Sequence, residues 1–338
     1  MALYQRVLAN AQWDPPRPEL VANWESMFPE GESYIQDWVG RNYEAHARST
    51  EEMFNALRRF IVEGNANLSA LSREAPLVFI NSWDRHTGAR QLSGTAPVIL
   101  VDANLTTFIW SMNKAWLYGS FKGTSAYLTQ LTLLRHALML RRLPFDEAGM
   151  LVETALREAR PPHPSPEAIA ALLGETWLHE MFVLAHEMAH IELGHLEEDA
   201  AAVAPILMSE VVRSLVSSRS AGFELAADEL ALRLLLNAFG PDRRESMETV
   251  MIGVFLITRY FVWLELVVGS PDDNGRDQIW LPRHLHLREV FRSLYEWGSL
   301  GFISELLEEL EQEMEPGAFT AAARFRNVWN VVSESTDK

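Results

Sequence analysis

The sequence predicts a mainly α-helical fold of the α+β class, in which many helices surround one small β-sheet. From residue 105 onward, apolar residues recur at every third or fourth position, which is the spacing of a buried helix face. Only residues 76–83 and 96–102 form short stretches rich in β-branched residues. The chain has 338 residues, of which 48% are apolar and 22% are charged, so it is long enough to bury a large core.

The first 75 residues are predicted to form a helical amino-terminal extension. Proline and glycine interrupt the helical pieces there, and residues 50–61 show the clearest amphipathic spacing. Residues 76–338 contain no internal repeat and no low-complexity linker, so we expect them to form one continuous domain. Within that domain, residues 165–295 contain the candidate functional side chains.

The two β-rich stretches are predicted to form a hairpin or two neighbouring strands, because a polar connection containing glycine separates them. That connection includes Asp84 and His86, a pair of residue types that occurs in catalytic sites. A solvated turn is the simpler explanation of this pair.

The rest of the chain is predicted to be helical, with glycine and proline between the helices. Ser165 and Pro166 match the start of a helix, and Gly194 is placed to end the same helix. The predicted helices cover residues 105–118, 124–142, 145–159, 165–193, a segment ending near 218, 222–236, 243–268, 287–297, 301–314 and 318–333.

Charge and cysteine content narrow the possible chemistry. The chain carries 46 acidic and 29 basic side chains, and its formal net charge of -17 would repel a phosphate backbone over most of the surface. We therefore expect no nucleic acid partner. There is no cysteine, which excludes disulfides, thiolate metal ligands and a cysteine nucleophile. A metal site in this chain has to be built from His, Asp and Glu.

The location of the protein is predicted from two segments. The first residues lack the charged start and continuous apolar core of a secretory signal, which predicts a cytoplasmic protein. Residues 250–268 are long enough to cross a bilayer, but Arg259 and Glu265 would then lie in the hydrocarbon. We therefore expect this segment to be a buried core helix, with no stable membrane insertion.

The chemically most informative stretch is His186-Glu187-Met188-Ala189-His190, a His-Glu-x-x-His motif within a predicted helix. Residues four apart share a helix face, so His186 and His190 can bind one metal ion while Glu187 stands beside it. The surrounding residues are apolar, and burying these polar groups without a partner would be costly. The alternative is a helical core in which hydrogen bonds satisfy both histidines.

Catalytic zinc usually takes three protein ligands, so the motif needs a third. His195 follows His190 by five residues, directly after Gly194, and we interpret it as a helix-end residue that supports the ligands. Glu224 and Asp228 are four apart on one predicted helix face. One of these carboxylates can bind the metal and the other can orient a ligating imidazole. The alternative is a solvated acidic face.

The paired motifs, His186-Glu187-x-x-His190 and Glu224-x-x-Ala227-Asp228, resemble those of the gluzincin metallopeptidases. They are most similar to the branch of the prenyl-protein and heat-shock proteases, and also resemble mobile-element peptidases that cleave repressors and phage-exclusion proteases. The resemblance covers residues 186–232. It implies a zincin-like domain with Zn²⁺ bound by His186, His190 and Glu224, and with Asp228 supporting a ligating imidazole.

By the same resemblance, the protein is a zinc metalloendopeptidase that cleaves proteins or peptides, with Glu187 as the general base for a zinc-activated water. Members of the family often carry a later His followed by an Arg near the active site. Residues 281–288 are the matching segment, so His284 or His286 is predicted to stabilise the oxyanion, unless the two form a surface pair. Zincin substrates often pair with an edge strand, for which residues 96–102 are the candidate.

The alternative function is a regulatory or defence-type interaction protein that keeps a zincin fold and its zinc site without free-standing peptidase activity. Membrane-embedded relatives have clean spanning helices, and this chain departs from them because its apolar helices contain charges.

Overall fold

A computed structural model describes residues 51–80, 88–90, 96–140, 146–196, 219–240, 244–269, 279–294 and 301–336. The described residues are mostly helical and include one small sheet, which confirms the predicted mainly α-helical class. The predicted turn at Asp84 and His86, and the predicted helix ending near residue 218, lie outside these residues.

Ten described helices and three strands follow one another along the chain. The helices are α1 (51–64), α2 (Ala70–Glu74), α3 (Ala103–Lys122), α4 (Ser125–Leu140), α5 (Asp146–Ala159), α6 (Pro166–Glu192), α7 (Arg219–Phe239), α8 (Arg244–Val268), α9 (Trp280–Leu294) and α10 (Gly301–Thr336). The strands are β1 (Leu77–Ile80), β2 (Gly88–Arg90) and β3 (Val98–Asp102). The helix predictions between residues 105 and 193 are confirmed to within four residues at each end.

The sheet has the order β1-β3-β2, with β1 parallel and β2 antiparallel to β3. The two predicted strands are therefore neighbours, but a hairpin is wrong because their pairing is parallel. The expectation that residues 96–102 form a free edge is also wrong, since β3 is paired on both sides. The edge strand beside α6 is β2, whose three residues, Gly-Ala-Arg, are too few to show strand periodicity.

Helix α6 carries the His-Glu-x-x-His motif, and its ends match the sequence signals. The Ser165 hydroxyl accepts a hydrogen bond from the backbone N–H of Ala168 at 3.2 Å, so it caps the amino-terminal end. At the other end Gly194 has a φ of 68°, and the N–H of His195 donates to the carbonyl of His190 at 3.0 Å. This Schellman-type reversal brings His195 back against the last turn of the helix.

The core is built around the middle of α6. Helices α1, α3, α7 and α8 supply buried apolar side chains to the same cluster as α6. Helix α2 is attached to the carboxyl-terminal end of α6 by the Glu192 carboxylate, which accepts hydrogen bonds from the hydroxyls of Ser69 and Ser72, both at 2.7 Å. Residues 51–75 thus share this core, while the predicted domain boundary at residues 75/76 stays a prediction.

Among the described residues, two helices, Pro166–Glu192 and Met247–Val268, are long and apolar enough to cross a membrane by length and composition. Within the most apolar window of each, 50% and 72% of the residues respectively are buried inside the fold, and core helices of soluble proteins pass the same test. Length and composition alone assign no location, so the cytoplasmic prediction remains a prediction.

The carboxyl-terminal helix α10 is continuous, whereas the sequence predicted two helices, 301–314 and 318–333. Pro316 lies inside it and removes one backbone N–H from the helix. The helix nevertheless continues because it packs along α4 and α8. At Gly317 the approach to α4 is so close that a Cβ atom would lie 2.0 Å from the carbonyl oxygen of Ala126, so tertiary packing outweighs the local signal.

Helix α9 begins at Trp280, seven residues before the predicted start at 287. Glu265 of α8 accepts hydrogen bonds from the backbone N–H groups of Ile279 at 2.7 Å and Trp280 at 3.0 Å. The Trp280 ring stacks on Phe261, with the ring centroids 4.1 Å apart. Helix α8 thereby fixes the start of α9 and the direction in which its first turns point.

Candidate metal centre

Three predicted ligands converge between α6 and α7. The side chains of His186, His190 and Glu224 each offer one ligand atom, and these atoms lie within 4.8 Å of one another. The two Nε2 atoms are 3.0 Å apart, and the Glu224 carboxylate oxygens lie 3.2 Å from His186 Nε2 and 3.5 Å from His190 Nε2. The structure thus brings together the ligand set that the sequence predicted.

Small side chains allow the two helices to approach each other at this point. Ala185 and Ala189 on α6, and Ala226 and Ala227 on α7, are all buried where the helices pack together. On α6 the four-residue spacing of the histidines places both rings on the face that meets α7. The solvated acidic face considered for Glu224 and Asp228 is wrong, because Asp228 is fully buried.

Asp228 contacts His186, the first candidate ligand. Its Oδ1 lies 2.9 Å from Nδ1 of His186, so the ring donates that N–H and turns its Nε2 towards the other ligands. Burial opposes ionisation of Asp228, but Arg283 and His186 outweigh that effect and lower its pKa. The carboxylate is therefore ionised and able to accept these bonds.

Arg283, on α9, is the site residue to which the sequence assigned no role. Its Nε and Nη2 donate to the two oxygens of Asp228, and its Nη1 lies 2.9 Å from a carboxylate oxygen of Glu224. The guanidinium also lies 3.8 Å from the centre of the Trp280 ring, a cation–π contact. The sequence does contain a signal for Arg283. An Asp228 that orients a ligating imidazole would be buried and would need a cationic partner, and Arg is suited to bidentate pairing.

His195 lies beside His190, the second candidate ligand. Its Nδ1 lies 3.0 Å from Nδ1 of His190, and its ring stacks on Phe223 with centroids 4.3 Å apart. Burial and the nearby His190 lower the pKa of His195 to about 4, so it is neutral at pH 7. A neutral His195 can accept the Nδ1–H of His190 and leave the Nε2 lone pair of that ligand facing the cluster.

Glu187 lies beside the ligands and contacts the sheet. Its side chain is only 6% exposed, and Oε2 accepts a hydrogen bond from the backbone N–H of Ala89 in β2 at 2.5 Å. Burial raises the pKa of Glu187, while His186 and His190 act in the opposite direction. A carboxylate with a raised pKa is suited to exchanging protons near neutral pH.

His284 and His286 have their described contacts away from the cluster. Nδ1 of His284 lies 2.9 Å from the hydroxyl of Thr258, and Nε2 of His286 lies 3.7 Å from the carboxylate of Glu229. The surface-pair alternative is wrong, because these residues are 1% and 0% exposed. Successive residues of a helix are rotated by about 100° about its axis. Arg283 therefore faces the cluster, while its neighbour His284 points in a different direction. The catalytic role predicted for the two histidines remains a prediction.

The hydrogen-bond pattern fits a bound cation. With the Nδ1–H of His186 given to Asp228 and that of His190 given to His195, both Nε2 lone pairs and the Glu224 carboxylate face one point. Burial and Arg283 oppose protonation of His186, yet Asp228 and Glu224 raise its pKa to about 9. Arg283 also reaches this group, with Nη1 2.9 Å from a Glu224 oxygen and Nη2 3.4 Å from His186 Nε2, but the remaining lone pairs can bind a proton or a metal ion. The alternative of core histidines satisfied by hydrogen bonds stays an alternative, because Asp228, His195 and Arg283 also contact these groups.

Comparison with known proteins adds no relative. No protein-family model matches the chain, no curated protein matches it, and no solved structure matches it. The chemistry of the cluster is therefore judged from its own geometry.

Proposed function

We propose that the protein is a zinc-dependent metalloendopeptidase with a zincin-like domain, which hydrolyses peptide bonds in a protein or peptide substrate. The observation behind the proposal is the convergence of His186, His190 and Glu224 on one point, with Glu187 adjacent to it. Two imidazoles and one carboxylate are a ligand set of catalytic zinc, and they leave a fourth coordination position for water or substrate.

The donor atoms and the charge both favour zinc over other common cations. Magnesium and calcium prefer oxygen ligands, whereas two of the three donors here are imidazole nitrogens. Glu187, Glu224 and Asp228 bring three negative charges when ionised, and Arg283 brings one positive charge. The net charge of these four side chains is then −2, which one divalent cation neutralises.

The chain's own residues would then divide the work of hydrolysis. A bound zinc ion supplies a Lewis acid that acidifies water and polarises the scissile carbonyl. Glu187 accepts a proton from the attacking water and returns it to the departing amine. Asp228 and His195 hold the two ligand rings in the required tautomer and orientation.

Arg283 contributes through the residues that it contacts. Three of its N–H groups already face carboxylate oxygens of Asp228 and Glu224, so they stabilise the ionised ligand and its support. Burial opposes ionisation of Glu224, yet Arg283 and the two histidines hold its pKa well below the usual range. An ionised Glu224 is the form that binds a metal.

The second candidate function is a regulatory or defence-type protein that binds zinc without free-standing turnover. Burial of Glu187 favours this candidate, because a base in the interior requires some rearrangement to meet a substrate. The two candidates share the metal and differ in cleavage.

Metal analysis and peptide-library cleavage of purified protein test the proposal together. We expect about one zinc per chain in wild-type protein and in Glu187→Gln, with cleavage in Glu187→Gln reduced by at least ~10²-fold. Glu308→Gln, at an exposed position on α10, is the matched control and should behave as wild type. Folded protein without zinc would refute the metal site. Zinc-loaded wild-type protein that cleaves no more than Glu187→Gln would favour the second candidate.

A further inference from the structure

Ala89 lies at the open edge of β2, with its backbone N–H directed towards α6. In the register of the sheet Ala89 is opposite Ile99, and the Ile99 N–H donates to Pro76 on the β1 side at 2.9 Å. When two residues lie opposite each other in an antiparallel pair, their N–H and C=O groups either both point towards the partner strand or both point away from it. Ala89 therefore directs its N–H away from β3, and that N–H donates to Glu187.

The other two residues of β2 have the opposite orientation. Backbone direction alternates along a strand, so Gly88 and Arg90 direct their N–H groups towards β3. Within the described strand, Ala89 is thus the residue whose N–H faces outward, and this N–H is already bound by the Glu187 carboxylate. An extended peptide adding to this edge would have to compete for that donor.

We propose that Ala89 is a positioning residue whose backbone N–H fixes the Glu187 carboxylate, so that β2 holds the base instead of pairing with the substrate. This inference rests on the proposed function in that Glu187 is taken to be the base. A glutamate side chain has three rotatable bonds, and one strong backbone donor on Oε2 restricts them while leaving Oε1 for the attacking water.

The interior location of Glu187 makes this bond important. A buried carboxylate needs hydrogen-bond partners, and an amide N–H held in a sheet is rigid and cannot turn away. The close contact between β2 and α6 delivers this donor to the first position after the ligand His186. The small sheet therefore has a defined role in a largely helical protein, because it supplies a fixed backbone dipole.

Amide hydrogen exchange measured by NMR tests the contact without any need for activity. We expect exchange at the Ala89 amide to be at least ~10-fold faster in Glu187→Ala than in wild type, with or without added zinc. The amides of Gly88 and Arg90, which face β3, serve as internal controls and should change by less than ~3-fold. Equal protection of Ala89 in both proteins would overturn the proposal.

Kinetics of Ala89→Pro test the consequence for catalysis. Proline removes the N–H, and it is tolerated at an edge-strand position whose N–H points away from the sheet. We expect kcat to fall by roughly 10–100-fold, with KM within ~3-fold and zinc content unchanged, because positioning affects the chemical step. Ala89→Gly keeps the N–H and should restore kcat to within ~3-fold of wild type.

The outcomes separate this inference from the proposed function. An unchanged kcat in folded, zinc-loaded Ala89→Pro, or a rise in KM alone, would overturn the inference, and the latter would indicate substrate pairing on β2. Because the Ala89 side chain is buried, the proline variant can fail to fold, and the exchange measurement then decides. A third outcome is that wild-type protein cleaves no peptide, while exchange protection of the Ala89 amide still depends on Glu187. That result would refute the proposed peptidase activity and leave the contact between Ala89 and Glu187 established.

Discussion

Arg283 donates two parallel hydrogen bonds to Asp228, from Nε to Oδ2 at 2.7 Å and from Nη2 to Oδ1 at 2.6 Å. Both side chains are buried, and the same aspartate contacts the ring of His186. Bidentate pairing fixes the plane of the carboxylate as well as its position. The orientation of His186, a candidate metal ligand, is therefore set from α9, where Arg283 lies 97 residues further along the chain than His186.

Asp228→Asn should weaken zinc binding by roughly 10–100-fold, because the variant keeps the shape of the side chain and loses the charged acceptor for His186. A competition titration against a chromophoric chelator measures this change. Glu229→Gln is the matched control, since the neighbouring Glu229 contacts His286 and Arg233 rather than the cluster. Identical zinc affinities for wild type and Asp228→Asn would mean that Asp228 does not support the ligand.

His195→Ala should lower zinc affinity by about 10-fold, a smaller loss than that caused by His190→Ala, which removes a ligand atom. The reason is that His195 holds His190 through Nδ1 and does not belong to the group of converging ligand atoms. Phe223→Leu removes the ring stacked on His195 while keeping the imidazole, and it separates packing from hydrogen bonding. A loss as large as that of His190→Ala would make His195 a metal ligand.

His284→Ala and His286→Ala should reduce stability by about 1–3 kcal/mol, because each leaves buried polar partners behind. The partners are Thr258 for His284 and Glu229 for His286. We expect zinc content to be unchanged and kcat to stay within ~3-fold of wild type in folded protein. Denaturant unfolding and steady-state kinetics check the two expectations. A kcat loss above ~100-fold in zinc-loaded, folded protein would instead support the catalytic role predicted from the sequence.

The candidate metal ligands are accessible to sequence reasoning because their spacing is local. His186 and His190 are one helical turn apart, as are Glu224 and Asp228, so each pair needs only a correctly assigned helix. Asp228 and Arg283 are joined by tertiary structure, which no local pattern encodes. The sequence predicts the start of α9 at 287, which leaves Arg283 on no helix face, and the role predicted for His284 and His286 follows from the family resemblance alone.

The remaining differences have related physical causes. Strand β2 is three residues long and lacks β-branched side chains, so its own sequence carries no strand signal and its pairing partner defines it. Pro316 usually ends a helix, but contacts along the whole length of α10 stabilise the helix through it. In both places non-local packing determines the structure against a weak or opposing local preference.

Glu180 provides a prediction that is independent of the metal. It lies on α6 two turns before Glu187 and is 1% exposed, and burial raises its pKa from 4.5 to about 8, while the nearby Thr106 acts in the opposite direction. The folded protein therefore binds this proton more tightly than the unfolded chain does. The contribution of Glu180 to stability is most favourable below pH 4.5 and is lost as pH rises towards 8.

Glu180→Gln removes this ionisation and should make the free energy of unfolding less sensitive to pH. Since each pKa unit is worth about 1.4 kcal/mol, we expect the variant to gain roughly 3 kcal/mol on wild type between about pH 6 and about pH 9. Guanidinium unfolding with chelator present at both pH values measures the gain, and Glu308→Gln at the surface should show none. Parallel pH dependence of Glu180→Gln and wild type would show that Glu180 is ionised in the folded protein throughout this range.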